Sequence, residues 1–435
     1  MDSSHARSVA VIGSGVAGLT AAYLLSGRDR VTLYEAEVRL GGHAHTHFVH
    51  DGGPDGNLIG VDSAFLVHND RTYPTLCRLL RELGVATQPS EMSMSVRADD
   101  IGLEYAGALG ISGLFACKQA LRPRYLRMLG EIVRFHRAAA RLLRSDTAHD
   151  DQETLEAFLN RHRFSSYFID FFITPLVAAV WSCASDDALR YPARYLFVFL
   201  DHHGMLSVFG SPTWRTVTGG SAQYVQAVAA RLAEVSTGTP VHSLRRVPDG
   251  VWLRAGDNAP RYFDAAVVAV HPDQALLLLD DPNPWERAVL GAIPYSTNQA
   301  QLHTDESVLP RRRRARASWN YLVTPGNDHV VVSYDVSRLM RLHTHTRYLV
   351  TLGGHDRVNP ASVIADMTYS HPLYTPESVA AQALLPTLDD DRVAFAGAYH
   401  GWGFHEDGAA SGLAAARRLG ADWPTAIRAE AVARC

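Results

Sequence analysis

Three glycines and one acid are the residues whose spacing points first to chemistry. Gly13-Ser14-Gly15-Val16-Ala17-Gly18 follows the β-branched run Val9 to Ile12 and opens into a helical pattern from Leu19 to Leu25. Gly13 permits a tight turn, Gly15 lets a pyrophosphate approach the backbone, and Gly18 allows the helix to pack closely. The start of that helix offers unpaired N–H groups and a positive dipole end to phosphates. A second strand, Val31 to Tyr34, ends on Glu35, 22 positions after Gly13. A carboxylate there accepts hydrogen bonds from ribose hydroxyls and repels a ribose 2′-phosphate. Strand, glycine turn, helix, strand and acid in this order predict a dinucleotide-binding βαβ unit.

A second glycine pair narrows the choice of dinucleotide. Arg39-Leu40-Gly41-Gly42-His43 follows closely on Glu35 and Ala36, and a simple NAD domain has no need of such a pair at this point. Here the sequence resembles the flavin-containing amine oxidase and phytoene desaturase superfamily, in which the pair approaches the flavin pyrophosphate and ribitol. Val61-Asp62-Ser63-Ala64-Phe65 is similar to the family's strand near the flavin, with Ala64 where a glycine is usual. Thr216 to Gly220 resembles its later Gly-Gly turn, and Val241 its adenine-side strand residue. Phe395-Ala396-Gly397-Ala398 with Gly403 to Ala409 and Ser411-Gly412 resembles its C-terminal flavin segment, although Ala398 replaces the usual acid.

The resemblance runs from residue 9 to residue 412 and implies FAD, whose attachment is expected to be non-covalent because the closing flavin segment holds no cysteine. It places Gly13, Ser14, Gly15, Ala17, Gly18, Glu35, Ala36, Gly41, Gly42, His43, Val241, Gly397, Phe404, Glu406 and Asp407 at the cofactor. More narrowly, Arg71 to Pro74, Trp214 to Val217, Leu309 to Arg314, Trp319 to Tyr321 and Phe404 to Gly408 look like a bacterial subgroup labelled only as NAD/FAD-binding oxidoreductases.

No second GxGxxG follows a strand after residue 18. The expected reaction is therefore transfer of a hydride from the organic substrate itself to the flavin. Amine oxidases of the superfamily commonly place a lysine near the flavin, but Lys118 is the only lysine here and falls in a helical stretch. Trp319, Tyr321, Tyr399 and Trp402 are aromatics able to wall a substrate, and the Phe/Tyr-rich run ending at Trp181 suits an elongated apolar molecule such as an acyl chain or isoprenoid. Desaturation or isomerisation is favoured over amine oxidation by a small margin, and a non-catalytic prenyl- or lipid-binding protein is the alternative outside enzymes. Tyr399 and His405 are the candidate catalytic side chains. His43, His45 and His47 alternate as on one strand face, yet His43 stands beside the glycine pair, so no metal is expected.

These residues need elements to hold them. The fold expected is α/β, a Rossmann-like FAD-binding domain from residues 1–95, 205–285 and 386–435, with an inserted helical and β-sheet substrate domain from 96–204 and 286–385. Leu114 to Arg144 reads as helix, Ala222 to Glu234 as helix, Val241 to Leu253 as alternating strands, and Ala288 to Tyr334 as strand-rich. The chain is 435 residues with 47% hydrophobic and 20% charged residues and a formal net charge of −4, ordinary for a globular protein and without a global positive field to recruit nucleic acid or an anionic membrane. Cys77, Cys117, Cys183 and Cys435 are too scattered for a disulfide framework. No run reaches the ~18 apolar residues of a membrane span, and Met1 to Arg7 lacks the order of a secretory leader, so cytoplasm is the expected compartment. Arg311 to Arg314 reads as a solvated hairpin face, with an acidic carrier protein or lipid head group as its functional partner.

Overall fold

The computed structural model describes residues 6–51, 56–145, 152–206, 211–324 and 330–424; Cys435 lies outside them. Three sequence-distant segments build one five-stranded parallel sheet. Its spatial order is Glu234–Ser236, Arg30–Tyr34, Ser8–Ile12, Ala265–Val268, Val393–Phe395. Numbered along the chain this is 3-2-1-4-5, the doubly wound order whose reversal beside the first strand leaves a crevice at the strands' carboxyl ends. Val9, Ala10, Val11, Val31, Leu33 and Ala265 to Val268 have no exposed surface. Sheets buried on both faces carry such continuous apolar runs. One face is covered by the helices Val16–Leu25 and His405–Arg418, which pack on each other. The other meets the three-stranded antiparallel sheet Val241–Val247, Gly250–Ala255, Arg261–Phe263.

A seven-stranded sheet forms the second layer: Val363–Pro372, Tyr295–His303, Leu349–Leu352, Val332–Asp335, Trp319–Val323, Met94–Ala98, Leu103–Ala106. All its pairs are antiparallel except Trp319–Val323 with Met94–Ala98. Helices between Gly110 and His202 close over a core of Phe135, Phe158, Phe168, Phe197 and Trp181.

Several local expectations are corrected. Leu114 to Arg144 is not one helix, because Pro123 starts the helix Pro123–Arg144 at its first position, where a missing N–H costs nothing. The helix from Ala222 ends at Ala229, and Glu234–Ser236 is instead the edge strand of the parallel sheet. The stretch from Ala288 opens in the helix Pro284–Gly291, capped by Asn283. Arg311 to Arg314 is no hairpin face: it leads into the single turn Arg313–Ala315, with the Arg311 and Arg312 amides donating to Glu104 at 3.0 and 2.8 Å.

Candidate active site

The glycine turn is built as its spacing requires. Gly13 holds φ +98° and its amide donates to the Tyr34 carbonyl at 2.8 Å, locking the first two strands at their ends. A Cβ on Gly18 would overlap the Gly13 carbonyl oxygen, whereas a Cβ on Gly15 would meet nothing within 4 Å. Gly15 therefore faces open space ahead of the helix Val16–Leu25, whose first N–H groups have no helical partner. Gly42, at φ +56°, sits against the Gly15 backbone and brings the second glycine pair to the first.

Ser14 ties these parts together. Its hydroxyl donates to Glu35 Oε2 at 2.5 Å and accepts from the Gly41 amide at 2.9 Å, and its own amide also donates to Oε2 at 2.9 Å. The second carboxylate oxygen accepts from the Glu37 amide at 2.9 Å. Glu35 is thus oriented before any sugar arrives.

A cavity of about 700 Å³ runs from this acid to an aromatic wall. Gly13, Ser14, Gly15, Ala17, Glu35, Ala36 and Val241 line one end. Gly42, His43, Ala64, Phe65, Gly397, Ala398, Tyr399, Phe404 and His405 line its middle. Met92, Trp181, Phe199, Trp214, Trp319 and Tyr334 are among the residues at the far wall. His405 stacks on Phe65 with ring centroids 3.6 Å apart. Burial lowers its pKa to about 3, and that of His371 to about 4; His43 is likewise driven well below the ordinary imidazole range. These rings are neutral at pH 7. The Nε2 atoms of His43 and His405 and the hydroxyl of Tyr399 are buried without a hydrogen-bond partner among the described residues. Burial raises the Tyr399 phenol above its ordinary range, so it stays protonated. Orphaned buried polar atoms around a cradle left open by glycine fit a group that brings its own phosphates and heteroaromatic edge.

Six expected residues lie outside the cavity lining. Gly18 and Gly41 serve backbone packing. Tyr321, two residues beyond Trp319 on its strand, is buried in the core. Trp402 packs on Tyr195 and Phe199, its carbonyl accepting from Trp181 Nε1 at 3.0 Å. Glu406 accepts from the Thr75 and Leu76 amides, both at 2.9 Å, and so caps the helix Pro74–Leu83. Asp407 accepts from the Phe404 amide at 2.9 Å, capping its own helix, which starts at His405; burial raises its pKa to about 7. Glu406→Ala is expected to lower stability by about 1–3 kcal/mol, the cost of uncapping buried amides. Denaturant titration at unchanged flavin content is the measurement, and loss of flavin without destabilisation would restore a cofactor role.

Conversely, sequence reasoning missed Phe199, His203, Met92, Trp214 and Tyr334. Trp319 pairs across the ladder with Tyr334 and with Met94, two positions from Met92, so the register of that sheet was the absent signal. His45 and His47 lie with tilted rings 4.0 Å apart and bond Tyr369 and Ser63 respectively. Among the described residues no three His, Cys, Asp or Glu side chains could hold a metal ion. Cys183 is buried, its thiol pushed up to about 12, and Cys77 and Cys117 are free.

A doubly wound sheet with a glycine cradle, an oriented acid and an adjoining aromatic chamber defines a flavin-dependent oxidoreductase. The chain belongs to the flavin containing amine oxidoreductase family, whose family model matches residues 16–420, and FAD is its cofactor. A crystallised fatty acid isomerase from P. acnes, described as producing CLA, superposes with a TM-score of 0.69 at 16% identity, covering 96% of this chain and 100% of that one. Cyclohexylamine oxidase from Brevibacterium oxydans IH-35A gives 0.67 at 17% identity, covering 95% and 98%. A 42-residue stretch is 57% identical to tryptophan 2-monooxygenase from Allorhizobium ampelinum, spanning 9% of this chain and 6% of that protein. Among the described residues no helix is long and apolar enough to cross a membrane.

Proposed function

We propose that this enzyme takes a hydride from, or isomerises, an apolar small molecule. One observation carries the reading: the charged residues lining the cavity, Glu35, Glu37 and Arg39, all come from one short segment beside the glycine turns. The far wall has aromatic and thioether side chains, and its histidine, His203, is held neutral by burial with a pKa of about 4. A protonated amine would find no carboxylate there, and stripping its water without a counter-charge is costly. Lys118, exposed on the turn Lys118–Leu121, is not part of the lining.

Bound FAD would supply the acceptor for one hydride, which carries both electrons. The protein's part is to bind and orient. Non-covalent binding rests on the Gly15 cradle and Glu35, and the Trp181, Phe199 and Trp319 wall excludes water from an alkyl chain. His405 and Tyr399 are the proposed catalytic side chains; neutral His405 can accept or donate one proton at Nε2, and Tyr399 can donate from its hydroxyl. We assign residues 1–95, 205–285 and 386–435 to the cofactor domain, and 96–204 and 286–385 to the substrate domain. Amine oxidation is the second reading, supported by the aromatic wall, where an amine can lie against ring faces.

Anaerobic mixing of the flavin-loaded protein with fatty acyl, isoprenoid and amine compounds tests the choice. Bleaching of the flavin band, or a shifted double bond, with the apolar compounds is the expected result. Bleaching by amines alone would overturn it.

A further inference from the structure

The surface around the helix Pro123–Arg144 carries a charge opposite to that of the whole chain. Residues 110–144 contain eight Lys or Arg and one carboxylate, Glu131, in a protein of net charge −4. Glu131 is buried and occupied by the Ser165 amide and hydroxyl and by Arg127 and Arg134. Helical spacing sorts the exposed face into stripes. Leu126 and Val133, 47% and 42% exposed, form an apolar line. Arg137 and Arg144 run along one side of it, with Arg127, Arg134 and Arg141 in a second row beyond them on that same side.

The fold extends this face with residues from elsewhere. The helix Gly110–Leu114 packs against the turn Arg313–Ala315, and the strand Leu103–Ala106 contacts both that turn and Lys118–Leu121. Ile111 and Leu121 project here, 78% and 66% exposed. The Glu104 carboxylate fixes the backbone of Arg311 and Arg312, so four consecutive arginines are presented from a rigid turn. Arg122, Arg137 and Arg313 make no ion pair among the described residues.

We propose that this face docks the enzyme on an anionic lipid bilayer. Guanidinium groups reach the phosphate layer while the exposed Ile and Leu side chains enter the boundary beneath it, the division of labour of interfacial helices. A second copy is a poor occupant, because a two-fold interface would set the same arginines against one another. Nucleic acid gains nothing from protruding Ile111 and Leu121.

The test is co-sedimentation of the flavin-loaded protein with phosphatidylglycerol-containing vesicles and with pure phosphatidylcholine vesicles. Binding to the anionic vesicles alone, weakened by salt, is expected. Arg122→Glu/Arg137→Glu/Arg313→Glu should weaken it by about 100-fold with flavin content unchanged. Leu121→Ser/Leu126→Ser should spare binding at low salt and weaken it at high salt. Absence of binding to anionic vesicles, equal binding to both, indifference to the charge reversal, or a dimer abolished by that reversal would each overturn the proposal.

Discussion

Gly15→Val is expected to purify folded and without flavin. Its side chain would enter the space that Gly15 leaves open, meeting no protein atom within 4 Å of the new Cβ, and would stand where a pyrophosphate approaches the helix amides. Losing one or two charge-assisted N–H bonds costs about 3 kcal/mol, or roughly 100-fold in affinity. Gly18→Ala is the contrasting variant, since its methyl group would overlap the Gly13 carbonyl oxygen and must part the first helix from the sheet, a strain of about 1–3 kcal/mol. Thermal unfolding and the visible spectrum separate the two: the first variant loses colour and keeps its melting point, the second loses stability first. A Gly15→Val protein with a full complement of flavin would place the phosphates elsewhere.

Acid should unfold the protein well before its carboxylates reach their ordinary range. His43, His68, His203, His371, His400 and His405 are lowered by burial, the last five to about 4 or about 3. Below pH 6.5 the unfolded chain protonates them and the folded chain does not, so the unfolded state binds more protons and stability falls with pH down to about 4. Each group contributes up to ~1.4 kcal/mol per pH unit within its window. Asp62, Asp389 and Asp407 act in the opposite sense. Burial raises them to about 6, 6 and 7, so their contribution is full below the ordinary carboxylate pKa and is lost as pH rises through those values. Six histidines outnumber three acids, and the melting temperature is expected to fall steadily between pH 6.5 and 4. His400→Gln should flatten that slope; a melting point independent of pH would refute the linkage.

The cofactor end was legible because its determinants are local. Gly13, Gly15 and Gly18 lie between one strand and one helix, and Glu35 stands at the end of the next strand, so spacing alone places them together. The substrate end was opaque for the opposite reason. Tyr334, Phe199 and Met92 reach the cavity through sheet register and helix packing that no short window encodes. Glu406 shows the same limit. Beside a flavin-like motif it reads as a cofactor ligand, but its partners are amides about 330 residues earlier in the chain. Glu234–Ser236 was hidden because three residues carry too little alternation to overrule the helical pattern before them.

The carbonyls of Gly401 and Trp402 gather donors from distant parts of the chain. Tyr195, Tyr374 and Gln382 reach the first at 2.9, 2.7 and 2.7 Å, and Trp181 reaches the second at 3.0 Å. Trp181 and Tyr195 come from the helical layer, while the loop they grip joins Tyr399 to His405. The helical layer and the loop we propose as the flavin seat are therefore one truss. Grafting a foreign helical segment to change what the chamber admits would have to carry those two donors along, or the seat itself would shift.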